Sequence, residues 1–311
     1  MKDIKGMTEG AIFSGVFIVL LLLSLYTPIG FVSTYILPIP FIVYGYRHGL
    51  KNGISVMIIN VFLAFFLGGF YSLFIAIIAV SLGLVMGVLY KKKTLLPAIV
   101  GGTLTVIIQF ILGLFISRFL FGIDFVDQLK KLLLSSLDSA KILLDQIENK
   151  EQAEQMLQMY QEFFSAIGEL LPFLFISSAI FIVWINHILA AKVLKRLGAG
   201  LPNLPPFREW TFPKSIVYYY LITILMIFFI PLEKYYGLKM ILLNLYPLLQ
   251  LILMIQGVSF IYLITYRRNW GKAVRVLAVV ALIVPVFSQF INLLGIMDLS
   301  FDLRKKFRSR G

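Results

Sequence analysis

Cysteine is absent from the 311 residues, which excludes disulfides, cysteine-ligated zinc, iron–sulfur clusters and thiol nucleophiles together. Histidine is nearly absent: His48 and His187 are the only two, too few for a multi-histidine metal site. Charge is scarce as well, at 14% of residues. No Asp or Glu falls at the middle of an apolar stretch, and Glu9 and Asp298 stand at segment ends, where their charge is expected to reach the membrane interface. The carboxylate pair, the activated hydroxyl or the metal cluster that ordinary catalysis needs is therefore missing. Gly101-Gly102-Thr103 has neither the spacing nor the lysine of a phosphate-binding loop. No catalytic residue, metal or cofactor is expected, and no enzymatic activity.

What the chain has in abundance is apolar surface. Hydrophobic residues make up 60% and the mean hydropathy is +0.93, far beyond a soluble domain. The expected fold is all-α, a polytopic bundle of eight to nine membrane segments, from apolar stretches at residues 11–26, 40–46, 54–67, 71–90, 96–121, 170–191, 216–230, 240–266 and 273–294. Several are shorter than the roughly 20 residues that cross a bilayer upright, so shielded or re-entrant helices are expected near the Pro- and Gly-rich positions. The first stretch follows Lys2 and Lys5 but lacks a small-x-small cleavage site, and it reads as an uncleaved helix with a cytoplasmic N-terminus. That orientation puts Arg47 with Lys51, Lys91–Lys93, Lys192–Lys214 and Arg267–Arg275 on cytoplasmic turns. The net charge of +13 then reflects basic loops facing anionic lipid, and nucleic acid is not an expected partner.

Three polar regions interrupt this pattern. Residues 122–169 hold nine acids and four lysines, a net charge of −5, while the rest of the chain carries +18. Val126, Leu129, Leu133, Leu137, Ala140, Leu144 and Ile147 recur at helical spacing, and Met156, Tyr160, Phe163, Phe164 and Ile167 repeat it beyond Glu148-Asn149-Lys150, which predicts an external hairpin of two amphipathic helices. The stretch LGAGLPNLPPFREWTFP at 197–213 cannot be one continuous helix and divides a block of about six spans (1–196) from a C-terminal group (215–297). The tail at 298–311 contains Arg304, Lys305, Lys306, Arg308 and Arg310. It would lie outside if all nine stretches cross, so either the last one does not fully span or the tail breaks the positive-inside tendency.

The stretch LPIPFIVYGYRHGLKNG at 37–53 is broken by backbone chemistry instead of charge. Pro38 and Pro40 bias Leu37 and Ile39 toward extended geometry and start a helix near Pro40. Gly49 and Gly53, around Lys51, permit a tight turn and a close helix approach. Earlier, Gly10, Ala11, Ser14 and Gly15 form two overlapping small-xxx-small pairs. Together these resemble the substrate-binding S components of energy-coupling-factor (ECF) transporters over residues 8–196, and Ala11-x-x-x-Gly15 stands where that superfamily carries an Ala-x-x-x-Ala motif. The whole chain, including LGIMDLSFDLRKKF near its end, is similar to the YybS-like family of bacterial membrane proteins. The resemblance implies that Gly10, Ala11, Ser14 and Gly15 dock on an ECF-type coupling subunit with its ATPases. Packing on another helix of the same chain is the alternative.

Uncharged polar residues remain inside the apolar stretches: Asn60, Gln109, Ser177, Ser178, Gln250, Gln256, Gln289 and Asn292. Interhelical hydrogen bonding accounts for most. Asn60 and Gln109, both mid-helix, are the candidates for an inward-facing ligand pocket, and Arg118, near an outer helix end, either attracts an anionic ligand or snorkels to lipid phosphate. His187 reads as an interfacial or helix-packing residue. The leading expectation is a subunit that binds or transports an unknown small molecule; the rival is a scaffold that recruits proteins or lipid through the hairpin and tail.

Overall fold

The computed structural model describes residues 2–92, 95–144, 155, 158–159, 167–199 and 204–308. Those residues form helices and turns, with no strand among them. The chain divides into a first unit, Met1–Leu132 with Phe175–Asn203, and a second, Leu133–Leu174 with Leu204–Gly311.

In the first unit, α1 (Lys2–Tyr26) and α2 (Gly30–Ile36) lead into α3 (Ile39–Tyr90). That last run is broken into three arms at Gly49 (φ 78°, ψ −172°) and at Gly68–Gly69, where Gly69 has φ 65° and ψ −151°. This backbone region is open almost solely to glycine, so the breaks fall where a Cβ is missing. α4 (Leu95–Phe121) follows, then α5 (Phe125–Leu144), which belongs to this unit only as far as Leu132, and α6 (Leu171–Arg196), which belongs to it from Phe175. Of the nine apolar stretches, three therefore lie on α3.

One local expectation is overturned. Leu37 (φ −48°, ψ −38°) and Ile39, the first residue of α3, are helical, not extended, and Phe41 and Ile42 donate their backbone N–H groups to the Pro38 carbonyl. The cause is tertiary: Leu37 is fully buried with Phe17, Leu21 and Phe41, and that burial outweighs the local bias of a residue before proline.

The arms of α3 alternate in direction. At one end of the unit, Glu9 meets Arg47 and His48, the Lys91 ammonium lies beside Gly49, and the Tyr90 hydroxyl hydrogen-bonds His187 Nδ1 at 2.6 Å. At the other, Tyr26 donates to the Leu67 carbonyl at 2.8 Å and the rings of Phe74 and Phe121 meet edge to face. Arg47, Lys91, Lys195 and Arg196 thus gather at the same end as the N-terminus. Close crossings lock the arms together: a Cβ on Gly87 would sit 2.2 Å from the Ile42 carbonyl, and one on Gly53 would sit 2.6 Å from a Leu84 methyl. Gly53 is therefore a contact on the second arm, and the turn is Gly49 alone.

Asp124 starts α5 by accepting from the N–H groups of Val126 and Asp127 at 3.0 and 3.3 Å, the usual device for satisfying a first helical turn. The expected second arm of the hairpin, with Met156, Tyr160, Phe163 and Phe164, and its turn at Glu148-Asn149-Lys150, lie outside the described residues.

The second unit contains α7 (Ser215–Phe229), α8 (Tyr236–Arg267), α9 (Lys272–Val280), α10 (Pro285–Phe301) and α11 (Leu303–Arg308). The stretch at 273–294 is not one helix, because α9 and α10 bend by 110° across a short break. Gly257 and Gly295 let α8 and α10 touch backbone to backbone, since a Cβ on either would come 2.0 Å from a carbonyl of the other helix. Among the described residues, five helices are long and apolar enough to cross a membrane, and six if the bent pair counts as one.

Candidate functional site

A cleft of about 760 Å³ lies between α1 and the first two arms of α3. Its α1 wall is Gly6, Met7, Gly10, Ala11, Ser14, Gly15 and Ile18, and its α3 wall includes Tyr44, Asn52, Ser55, Val56, Ile59 and Leu63. The space exists because α1 presents small residues at successive turns, where side chains would otherwise fill the groove. Among the described residues, no charged side chain lines it. Its polar groups are Ser14, Tyr44, Asn52 and Ser55, and the Tyr44 hydroxyl is already engaged with the Gly6 carbonyl at 3.3 Å. The Tyr44 ring lies against His48, centroid to centroid at 4.7 Å. Just beyond, Glu9 Oε2 accepts from Arg47 Nη1 at 3.0 Å and lies 2.9 Å from His48 Nε2.

The four small residues expected to act as one docking face divide into two. Gly10 is an internal contact: a Cβ there would lie 3.0 Å from Val56 Cγ2 and 3.4 Å from the Tyr44 ring. Ser14 faces the same way, accepting from Asn60 Nδ2 at 2.7 Å. Ala11 is exposed, and a Cβ on Gly15 would meet nothing within 4 Å. A one-residue offset turns a side chain by about 100° on a helix, so the two overlapping pairs point to different surroundings.

The three expected ligand-binding residues are not brought together. Asn60 is fully buried behind Ser14, also donates to the Val56 carbonyl, and leaves its Oδ1 without a partner. Gln109 lies on α4 against the third arm of α3, where its Nε2 donates to Ser81 Oγ at 2.6 Å and to the Ile78 carbonyl at 3.3 Å. Arg118 is an exposed side chain 3.6 Å from Asp124, across the turn into α5. Each amide found a hydroxyl on another helix, a long-range pairing that spacing along one helix does not encode. Pro38 caps α3 and Pro40 sits in its first turn, while Gly49 makes the break. Asn52, Ser55 and Tyr44 were missed by sequence reasoning, although Asn52, Val56 and Asn60 share one face at four-residue spacing, as do Ser55, Ile59 and Leu63.

A second polar cluster, in the second unit, is centred on Asp298. Its side chain is fully buried within the protein, so its charge is met by protein groups and not by solvent. Its Oδ2 accepts from Arg304 Nε at 2.6 Å and from Gln256 Nε2, while Gln256 Oε1 accepts the N–H of Phe212 at 3.0 Å. Arg304 also donates to the Arg208 carbonyl and to Ser259 Oγ, each at 3.0 Å, and Ser259 donates to the Phe207 carbonyl at 2.6 Å. The first turn of the tail is thereby fastened to the linker, and both lie on one side of this unit. Lys214 and Asp302 add an ion pair at 2.6 Å, whose ammonium pulls the Asp302 carboxyl below its usual pKa. Elsewhere Asn292 donates to the Tyr220 hydroxyl at 2.9 Å, an interhelical bond.

Among the described residues, no three of His, Asp and Glu gather as a metal site would require. A family model described as "Predicted membrane protein (DUF2232)" matches residues 15–299. The chain is 34% identical over 308 residues to a Bacillus subtilis (strain 168) protein named "Uncharacterized protein YybS", covering 98% of this chain and 99% of that one. No solved structure matches.

Proposed function

The chain belongs to the DUF2232 family of predicted membrane proteins, and from that premise we propose that it is a membrane-embedded binding subunit for a small, uncharged and mostly apolar solute, of the kind the ECF S components represent. The observation that carries this reading is the cleft between α1 and α3. A drug-sized ligand needs a concave site of roughly 300–1,000 Å³ with an apolar lining and a few placed polar groups, and the cleft has that volume and that lining. Asn52 and Ser55 would hold the polar end of the solute, and Ile18, Ile59 and Leu63 its apolar body. Arg47 and His48 are engaged by Glu9 and do not line the cleft, so a strongly anionic solute would enter without a counter-charge. Asn60 acts through Ser14, and Gln109 and Arg118 fall outside the site.

In this reading the first unit crosses the membrane six times and the whole chain eight to nine, with the basic end of the first unit cytoplasmic and the acidic insertion external. The open positions Ala11 and Gly15 favour a second use of the same wall, docking of a partner helix such as that of an ECF-type coupling subunit. A protein that recruits partners or lipid without binding any solute is the competing function.

Thermal melting of the purified protein against a panel of uncharged metabolites tests the proposal, because a ligand that binds only the folded state raises the melting temperature once it exceeds its dissociation constant. A solute should stabilise the wild type and not Ser55→Leu, whose side chain would fill the cleft. A solute that stabilises both variants equally would place binding elsewhere, and a panel without any stabilising member would favour the recruiting function.

A further inference from the structure

The junction of linker, α10 and α11 in the second unit encloses a cavity of about 170 Å³, lined in part by Thr211, Lys214, Asp298, Asp302, Arg304 and Lys305. Asp298 is the unusual member. Its Oδ2 carries both of its hydrogen bonds, while Oδ1 is buried with no partner. A buried carboxylate oxygen left bare is costly, so the site lacks a donor. On the cationic side, Lys305 is 82% exposed and pairs with Asp302 at 3.8 Å. An ammonium has three N–H donors, so at so exposed a position it can meet an anion beside that carboxylate. The cavity also has a definite depth. Lys214 directly precedes apolar α7 and Asp302 directly follows α10, so it lies where the apolar helices end, at the level of lipid headgroups. Tyr218 and Tyr219, in the first turn of α7, are exposed beside that level, as interfacial aromatics are.

We infer that this cavity binds a zwitterion of a primary ammonium and a phosphate, the ammonium donating to Asp298 Oδ1 and the phosphate accepting from Lys305 and Lys214. A phosphatidylethanolamine headgroup carries that chemistry at the depth of the cavity, and soluble phosphoethanolamine carries it free of the membrane. A phosphatidylcholine headgroup has the phosphate but no N–H to offer Asp298, which makes it the matched control.

The full-length protein is melted in nanodiscs of phosphatidylcholine alone and of phosphatidylcholine with phosphatidylethanolamine, and in detergent with and without soluble phosphoethanolamine. Phosphatidylethanolamine should raise the melting temperature by at least about 2 °C, and the rise should vanish in Lys305→Gln, an exposed substitution that leaves the fold intact, and in Asp298→Asn. A rise with soluble phosphoethanolamine that is likewise lost in Lys305→Gln identifies the free solute as a ligand and also supports the site. Equal melting in all lipids with no effect of the soluble compound would overturn the inference, as water alone would then satisfy Asp298. A rise that persists in both variants would overturn it too, since it would come from the bilayer and not from this cavity.

Discussion

At the scale of single residues, the positions that matter most are small ones, and two glycines five apart on α1 make opposite predictions. Gly10 is filled against Val56 and Tyr44, whereas Gly15 faces open space. Gly10→Leu should therefore lower the melting temperature through overpacking, at a cost of about 1–3 kcal/mol, and Gly15→Leu should leave it unchanged. Equal destabilisation by both would mean that the cleft is closed in the folded protein. Asp302 supplies a test by pH. Its carboxyl is held below its ordinary value, first by the hydrogen bond from Lys214, so the stabilisation is fully present above the unfolded carboxylate pKa near 4 and is lost as pH falls through the lower folded value. The pair is partly exposed and its contribution small, yet melting curves from pH 5 to 3 should fall less steeply in Lys214→Gln than in the wild type. Identical slopes would show that the pair does not form. What the sequence could tell at this scale was residue type and not partnership. Asn60 and Gln109 are recognisable as solitary amides in apolar helices, but their partners Ser14 and Ser81 come from other helices.

Among the elements, α3 is the one whose breaks were legible, because Gly49 and the Gly68–Gly69 pair punctuate an otherwise continuous apolar run. Replacing Gly49 or Gly69 with alanine should cost about 1–3 kcal/mol each, since both hold backbone angles that only glycine adopts readily; melting of the two variants reads this directly. The break between α9 and α10 was legible only as one of two alternatives for the last apolar stretch. Residues 281–284 are Ala, Leu, Ile and Val, and Pro285 alone marks the place. The clasp of Arg304 on Asp298 was hidden for a related reason: the two are six apart across Asp302, whose left-handed backbone (φ 48°) reverses the expected facing. Arg304→Ala would leave Asp298 buried and uncompensated, a change that typically costs about 3–5 kcal/mol. Lys305→Ala, at an exposed position, should cost little, and a similar loss in both would contradict the burial of the clasp.

For the molecule as a whole, the apolar composition and the all-helical class were plain from the sequence, while the joining of linker and tail was not, because it depends on contacts between Arg304 and Arg208 nearly a hundred residues apart. That joining bears on the conflict over the basic tail: on the proposed topology, with linker and tail on one side, the bent pair α9–α10 would enter and leave on that side. The absence of cysteine makes single-cysteine labelling clean, and Glu209→Cys and Lys305→Cys should react with an impermeant maleimide from the same side of the membrane, with Glu233→Cys reacting from the opposite one. Labelling of Lys305→Cys together with Glu233→Cys would restore a full last crossing. The central claim is that the cleft holds the solute. Its most direct test is the rate at which Ser55→Cys, the single thiol in the chain, reacts with a small methanethiosulfonate in membranes, measured with and without the solute that stabilises the wild type. The solute should slow labelling at Ser55→Cys and leave Glu209→Cys untouched. An unchanged rate at Ser55→Cys with that solute bound would contradict the account.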